Sequence, residues 1–133
     1  MLPSMHDDLI VGYEVDCDRR TIKFRTRRPN WAQDQTIRNT IFRGVVGYHF
    51  KDDAFSNIIM AVEYVPIEKF VQEYRLELSV SFREAGALDA WTQSDEASIE
   101  ALVDAGVNAI VISSSMGLSG WILAKQLEFA SQE

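Results

Sequence analysis

Residues 40–50 read Thr-Ile-Phe-Arg-Gly-Val-Val-Gly-Tyr-His-Phe, and residues 57–66 read Asn-Ile-Ile-Met-Ala-Val-Glu-Tyr-Val-Pro; the rest of the chain can be organised around them. In the first run Phe42, Val46, Tyr48 and Phe50 share one parity, and in the second Ile58, Met60, Val62 and Tyr64 do. Strand side chains alternate between faces, so a period of two predicts two half-buried strands. The polar break at residues 51–57 lets them pair as a hairpin. Gly44 and Gly47 interrupt the first run and mark a bulge or a bend in the sheet.

Working upstream, Leu9, Val11, Tyr13, Val15 and Cys17 alternate with Ile10, Gly12, Glu14, Asp16 and Asp18, after a loose leader of residues 1–7. A turn at residues 18–20 leads into a second strand over residues 21–28, where Ile22 and Phe24 alternate with Lys23, Arg25 and Arg27. Setting Cys17 opposite Ile22 puts Val15 by Phe24, Asp16 by Lys23 and Glu14 by Arg25. Apolar and charged faces then agree, and each opposite-charge pair adds roughly 0.2–1 kcal/mol. The basic strand reads as a solvated face paired with acids, which argues against nucleic acid as a partner. Residues 29–35 form a loop before a third strand over residues 36–43.

Downstream, Pro66 suits the first turn of a helix. Ile67, Phe70, Val71, Tyr74, Leu78, Phe82 and Ala85 fall on one stripe at 100° per residue, leaving Leu76 and Val80 on the opposite face. A competing alternation exists, since Leu76, Leu78, Val80 and Phe82 interleave with Glu77, Ser79 and Ser81 as a strand would. The unbroken stripe from Ile67 and the stop at Gly86 favour the helix. As helical residues Leu76 and Val80 are exposed apolar groups, a contact surface. Thr92 or Ser94 caps a second helix over residues 95–105, whose Ile99, Leu102 and Val103 face inward and which Gly106 closes. The run Ala109-Ile110-Val111-Ile112 is apolar on both parities and predicts a strand covered on both faces. Trp121, Leu123, Leu127 and Phe129 share a parity and predict one final strand.

A chain of 133 residues with 47% hydrophobic and 25% charged residues has the composition of a single globular domain. At that size folding buries roughly 65–70% of the unfolded surface. No apolar run is long enough to span a bilayer, and the first ten residues lack a signal-peptide pattern, so the expectation is a cytoplasmic protein without a membrane partner. The single cysteine, Cys17, sits on the apolar parity of its strand and is expected to be a buried, inert thiol. The net charge of −7 is uneven. Residues 1–43 hold eight Lys or Arg against six Asp or Glu, whereas residues 44–133 hold five against fourteen, so the halves carry +2 and −9. Such an acidic part suits a basic protein partner, although a charge of this size also simply keeps a small domain soluble.

Ser113-Ser114-Ser115-Met116-Gly117-Leu118-Ser119-Gly120 is the least ordinary segment. Small hydroxyl residues and two glycines after a buried strand can turn backbone N–H groups toward an anion. The specific phosphate-loop, dinucleotide and nucleophile-elbow spacings are missing, which favours a tight turn whose serines satisfy their own backbone. If the segment does bind a ligand, Tyr48 or His49 is the side chain expected to meet it. His6-Asp7-Asp8 and His49 with Asp52 and Asp53 place nitrogen beside carboxylate, but neighbours on a strand point to opposite faces, so no metal, cofactor or catalytic group is expected. His49 is expected to face solvent, opposite Tyr48 and Phe50. Trp31, Trp91 and Trp121 are expected to pack; an exposed loop tryptophan is instead an anchor for a partner.

The succession His-Asp-Asp-Leu-Ile-Val-Gly-Tyr-Glu-Val-Asp, Arg-Thr-Ile-Lys-Phe-Arg, Phe-Arg-Gly-Val-Val-Gly-Tyr-His-Phe and Asn-Ile-Ile-Met-Ala-Val-Glu-Tyr-Val-Pro resembles small uncharacterised bacterial domains. Some similar domains are grouped with immunity proteins of polymorphic toxin systems. The resemblance covers about residues 6–66, with a weaker echo at residues 113–123. It implies a bacterial, non-enzymatic protein and carries no functional residues. The whole reading is therefore a single α+β domain over residues 1–133. It has two layers, with an antiparallel sheet of six or seven strands, in the order β-β-β-β-β-α-α-β-β, covered by two helices. It acts by protein contact, with a basic toxin or by self-association. The contact or ligand residues on this reading are Leu76, Val80, Tyr48, His49, Ser113, Ser114, Ser115, Gly117 and Ser119.

Overall fold

A computed structural model describes residues 4–84 and 95–131, with side chains described outside residues 76–98 and 131. β1 (Leu9–Asp16) and β2 (Thr21–Arg27) form the first hairpin. Its register is Val15 with Ile22, Tyr13 with Phe24 and Glu14 with Lys23, two residues from the expected one. A shift of two keeps every side chain on its face, so the alternation alone could not tell the registers apart. The turn decides: the Asp16 carboxylate accepts the Arg19 N–H at 3.0 Å and Arg20 adopts φ 54°, so Cys17 leaves the strand and is exposed rather than buried. Arg25 consequently lies across from Gly12 instead of Glu14. A bulge between Ile10 and Gly12 turns Ile10 into the core and leaves Val11 outside. The described part of the leader, residues 4–7, is pinned rather than loose, with Met5 buried and the Asp7 N–H bonded to the Ile59 carbonyl at 2.8 Å.

The helical reading of residues 67–84 holds. α1 (Ile67–Glu84) starts directly after Pro66, whose carbonyl accepts the Phe70 N–H at 2.9 Å, and it bends at Tyr74, where φ is −113° and ψ 21°. Leu76 and Val80 lie on this helix, but their side chains, like Trp91 and the expected cap and stop at residues 86–94, are outside the described residues. α2 (Asp95–Asp104) buries Leu102, packs Ile99, and ends at Gly106 with φ 71°. Val103 points outward instead, 57% exposed.

Six more strands complete an eight-stranded antiparallel sheet: β3 (Arg38–Arg43), β4 (Gly47–Lys51), β5 (Ile58–Val65), β6 (Asn108–Met116), β7 (Ser119–Ala124) and β8 (Gln126–Ser131). The expected final strand is thus two, split at Lys125, and among the described residues the count is eight rather than six or seven. The order across the sheet is β4-β7-β6-β5-β1-β2-β3-β8. β3 runs into β4 through residues 44–46 and β7 into β8 through Lys125, yet each link joins opposite ends of that order. Links this short leave one solution, which is a long two-stranded ribbon bent at a corner. Arg38–Arg43 pairs with Gln126–Ser131, and Gly47–Lys51 with Ser119–Leu123. Gly44, at φ 63° and packed on Lys125, makes the bend that its position foretold.

The sheet therefore doubles back on itself. One half, β4-β7-β6-β5, faces the other, β1-β2-β3-β8, across a core of Ile22, Phe24, Phe42, Ile59, Ile110, Ile112 and Ile122. On its far side the first half carries Ala109, Val111, Trp121 and Leu123 against Phe70, Val71, Ile99 and Leu102 of the helices. β6 is thus covered on both faces, as its doubled apolar parity predicts. The expected two layers become three: helices, half-sheet, half-sheet.

Candidate functional site

The serine segment is mostly strand and turn. Ser113, Ser114 and Ser115 belong to β6, and Gly117, at φ 85°, forms the turn into β7. The Ser114 hydroxyl donates to the Leu118 carbonyl, the Ser114 N–H donates to Ser119 Oγ at 3.1 Å, and the Ser115 hydroxyl donates to the Ile58 carbonyl at 3.4 Å. Asn57 bolts this turn to the β4–β5 loop: its Oδ1 accepts the Leu118 and Ala54 N–H groups, and a Cβ on Gly117 would lie 2.1 Å from that oxygen. Hydroxyls engaged in this way hold the backbone, as expected for a tight turn.

Tyr48 and His49 are neighbours on β4 and face opposite ways. His49 is half-buried rather than solvent-facing, with its ring stacked over Trp121 at 6.2 Å between centroids. With Lys51, Tyr74, Ser113, Ser114, Ser119 and Gly120 it lines a hollow of about 230 Å³. Tyr48 lies on the inner parity, its ring 5.1 Å from that of Phe50, and lines a separate cavity of about 320 Å³. The structure therefore brings the serines to His49 and not to Tyr48.

Asp53 is drawn into a structural contact. Tyr13 donates its hydroxyl to Asp53 Oδ2 at 2.5 Å. That bond, with burial and the carboxylate charge behind it, pushes the phenol up to about 12. His6 Nδ1 lies 3.0 Å from the Met60 carbonyl, and among the described residues no three His, Cys, Asp or Glu side chains converge as metal ligands.

Two features were not visible in the sequence. Asp8 is fully buried, and its carboxylate accepts from Arg28 Nη1 at 3.0 Å and from Arg38 Nη2. Burial pushes this carboxyl up and the Arg38 and Arg28 guanidiniums pull it down, with burial the stronger. Nothing in the spacing of residues 8, 28 and 38 announces the cluster, because the fold alone brings them together. Trp31 is the second feature. It is 75% exposed on the β2–β3 loop, which is tied by Gln35 Nε2 to the Pro29 and Ala32 carbonyls, both at 2.8 Å, and by Arg27 to Asn30 and Gln35. Its aromatic character in a loop was the available signal, but exposure could not be read from it.

The class of protein defined so far is an α+β fold whose antiparallel sheet folds over itself under, among the described residues, two helices. No family model, curated protein or solved structure matches the chain.

Proposed function

We propose that the chain is a non-catalytic protein-binding domain whose contact surface centres on Trp31. The observation that carries the reading is a large aromatic held 75% exposed on a loop whose backbone and side chains are already hydrogen-bonded. A pre-ordered aromatic loses little conformational entropy on binding, and such residues dominate interface energetics. Arg27 and Arg28 beside this loop are already engaged by Asn30, Gln35 and Asp8, so the contact at Trp31 rests on the ring itself. A basic toxin, the partner that the resemblance implies for an immunity-like role, would instead meet the acidic part of the chain after residue 44. Trp31→Ala tests the reading: a partner captured from the native host should be lost at least a hundredfold while the melting temperature is unchanged. Capture unaffected by that substitution removes Trp31 from the interface, and the mass of the free protein in solution reveals whether the partner is a second copy.

A second reading has one observation in its favour, the hollow that joins His49 and Lys51 to Ser113 and Ser119. It makes the chain a small-ligand domain, with imidazole, ammonium and hydroxyl groups suited to an anion. His49→Ala should then abolish a calorimetric signal with inorganic phosphate, and no signal with the unaltered protein rules phosphate out.

A further inference from the structure

The bend in the ribbon leaves a wedge. Thr21 paired with Arg43 is the final rung between β2 and β3, and beyond it the chain swings away through Val45 and Val46 to join β7. Among the described residues no strand fills the space between the β1–β2 turn and the start of β4, and a cavity of about 320 Å³ remains there, within the size range of small-molecule sites. Val15, Ile22 and Val45, all of which pack in the inner core, line it. Its remaining lining includes Arg20, Tyr48 and Cys17, all exposed. The Val45 N–H donates to the Arg20 carbonyl at 3.0 Å, which closes one side and fixes the rim.

The rim charges are not equivalent. Asp16 already accepts the Arg19 N–H and lies 3.8 Å from Arg19 Nε, whereas Arg20 makes no ion pair among the described residues. An apolar floor open at one end beside an unpaired guanidinium matches a molecule with a greasy body and an acid head. We infer that this cavity binds a small amphiphile bearing one carboxylate, its alkyl or aryl body on Val15, Ile22 and Val45 and its head on Arg20. This site is separate from the Trp31 surface and stands or falls without it.

The chain's single cysteine supplies the reporter, because Cys17 is exposed and lines this cavity. Octanoate should slow iodoacetamide labelling of Cys17 saturably and give a matching calorimetric isotherm. Octanol, which keeps the body and lacks the charge, should need about tenfold more, the contribution of a charged hydrogen bond. Arg20→Gln should bring octanoate down to the octanol level, and Val45→Trp should remove both by filling the floor. Arg20 is exposed, so the first variant keeps the test decisive even if the second does not fold. Absence of an octanoate effect in both labelling and calorimetry overturns the inference. Octylammonium binding as well as octanoate also overturns it, since Asp16 would then be the headgroup partner.

Discussion

The two halves of the sheet are built from similar strands and end in different environments. In the half β4-β7-β6-β5, the strands β7 and β6 meet apolar partners on both faces, the other half on the inside and the helices on the outside, while Met60 and Tyr64 of β5 are each 48% exposed. In β1-β2-β3-β8 only the inner face meets apolar partners, and the outer one carries exposed Glu14, Arg25, Arg43 and Glu128. Across β3 and β8 the Arg43 guanidinium grips Glu128 through two bonds of 2.7 and 3.2 Å, which holds the Glu128 carboxyl below its usual range. The difference teaches that loss of alternation carries information. Where Trp121, Ile122 and Leu123 are apolar in succession, a helix layer lands; where Lys23, Arg25 and Arg27 interrupt Ile22 and Phe24, it does not.

The comparison can be broken at its strongest point first. Trp121 is fully buried between its half-sheet and Phe70, whose ring stands 5.3 Å away. Trp121→Ala should cost about 3–5 kcal/mol in urea denaturation. A loss under about 1 kcal/mol would mean that the helices are not seated on β7. In the other half, Arg38→Ala leaves the Asp8 carboxylate with Arg28 alone and should cost about 3 kcal/mol at neutral pH. That penalty comes from the charged carboxylate, so it should shrink as acid protonates Asp8; a penalty equal at both pH values would argue against the ion cluster.

Back in the covered half, a Cβ on Gly120 would lie 1.9 Å from the His49 carbonyl oxygen, so Gly120→Ala should cost at least about 1–3 kcal/mol and lower the melting temperature. An unchanged melting curve would show that β4 and β7 are not this close. Tyr13 gives a pH test of the uncovered half. A phenol whose folded value is raised from 10.0 to about 12 contributes its stability in full below pH 10 and loses it as the pH rises through about 12. Phenolate absorbance should show one late-titrating tyrosine that moves earlier in Asp53→Asn, and no movement would remove the Tyr13–Asp53 bond. The smallest effect is expected outside, at Lys23→Ala, within about 0.5 kcal/mol. A larger loss would reveal a partner covering this face.

Much of the architecture was legible because faces repeat along short segments. β2, β6 and both helices follow from parity or stripe, and Gly44 was marked as a bend, whereas β5 buries Ile59 and leaves Met60 and Tyr64 exposed, and β4 pairs with β7 instead of forming the expected hairpin with β5. What was illegible depends on long-range geometry. Register escaped because a two-residue shift preserves faces, and only the turn at Asp16 to Arg20 distinguishes the alternatives. The shared parity of Trp121 to Phe129 concealed the break at Lys125, since a bent strand keeps its alternation on either side of the corner. Of the candidate site, Ser113, Ser119 and His49 do meet, while Tyr48 faces the opposite layer. Asp8, Arg28 and Arg38 had no local signature at all, and the exposure of Trp31 belongs to a loop whose shape is set by Gln35.

The corner ribbon also dictates how the chain can assemble. Arg43 and Glu128 bond across it although 85 residues separate them, so no nearby turn can nucleate this ladder. The local hairpins β1–β2 and β6–β7 are expected to form before the ribbon closes, since closure needs a distant encounter, as in other topologies of high contact order. During that delay unpaired strand edges are open to neighbouring molecules, and refolding yield should respond more to dilution than to any gain in final stability.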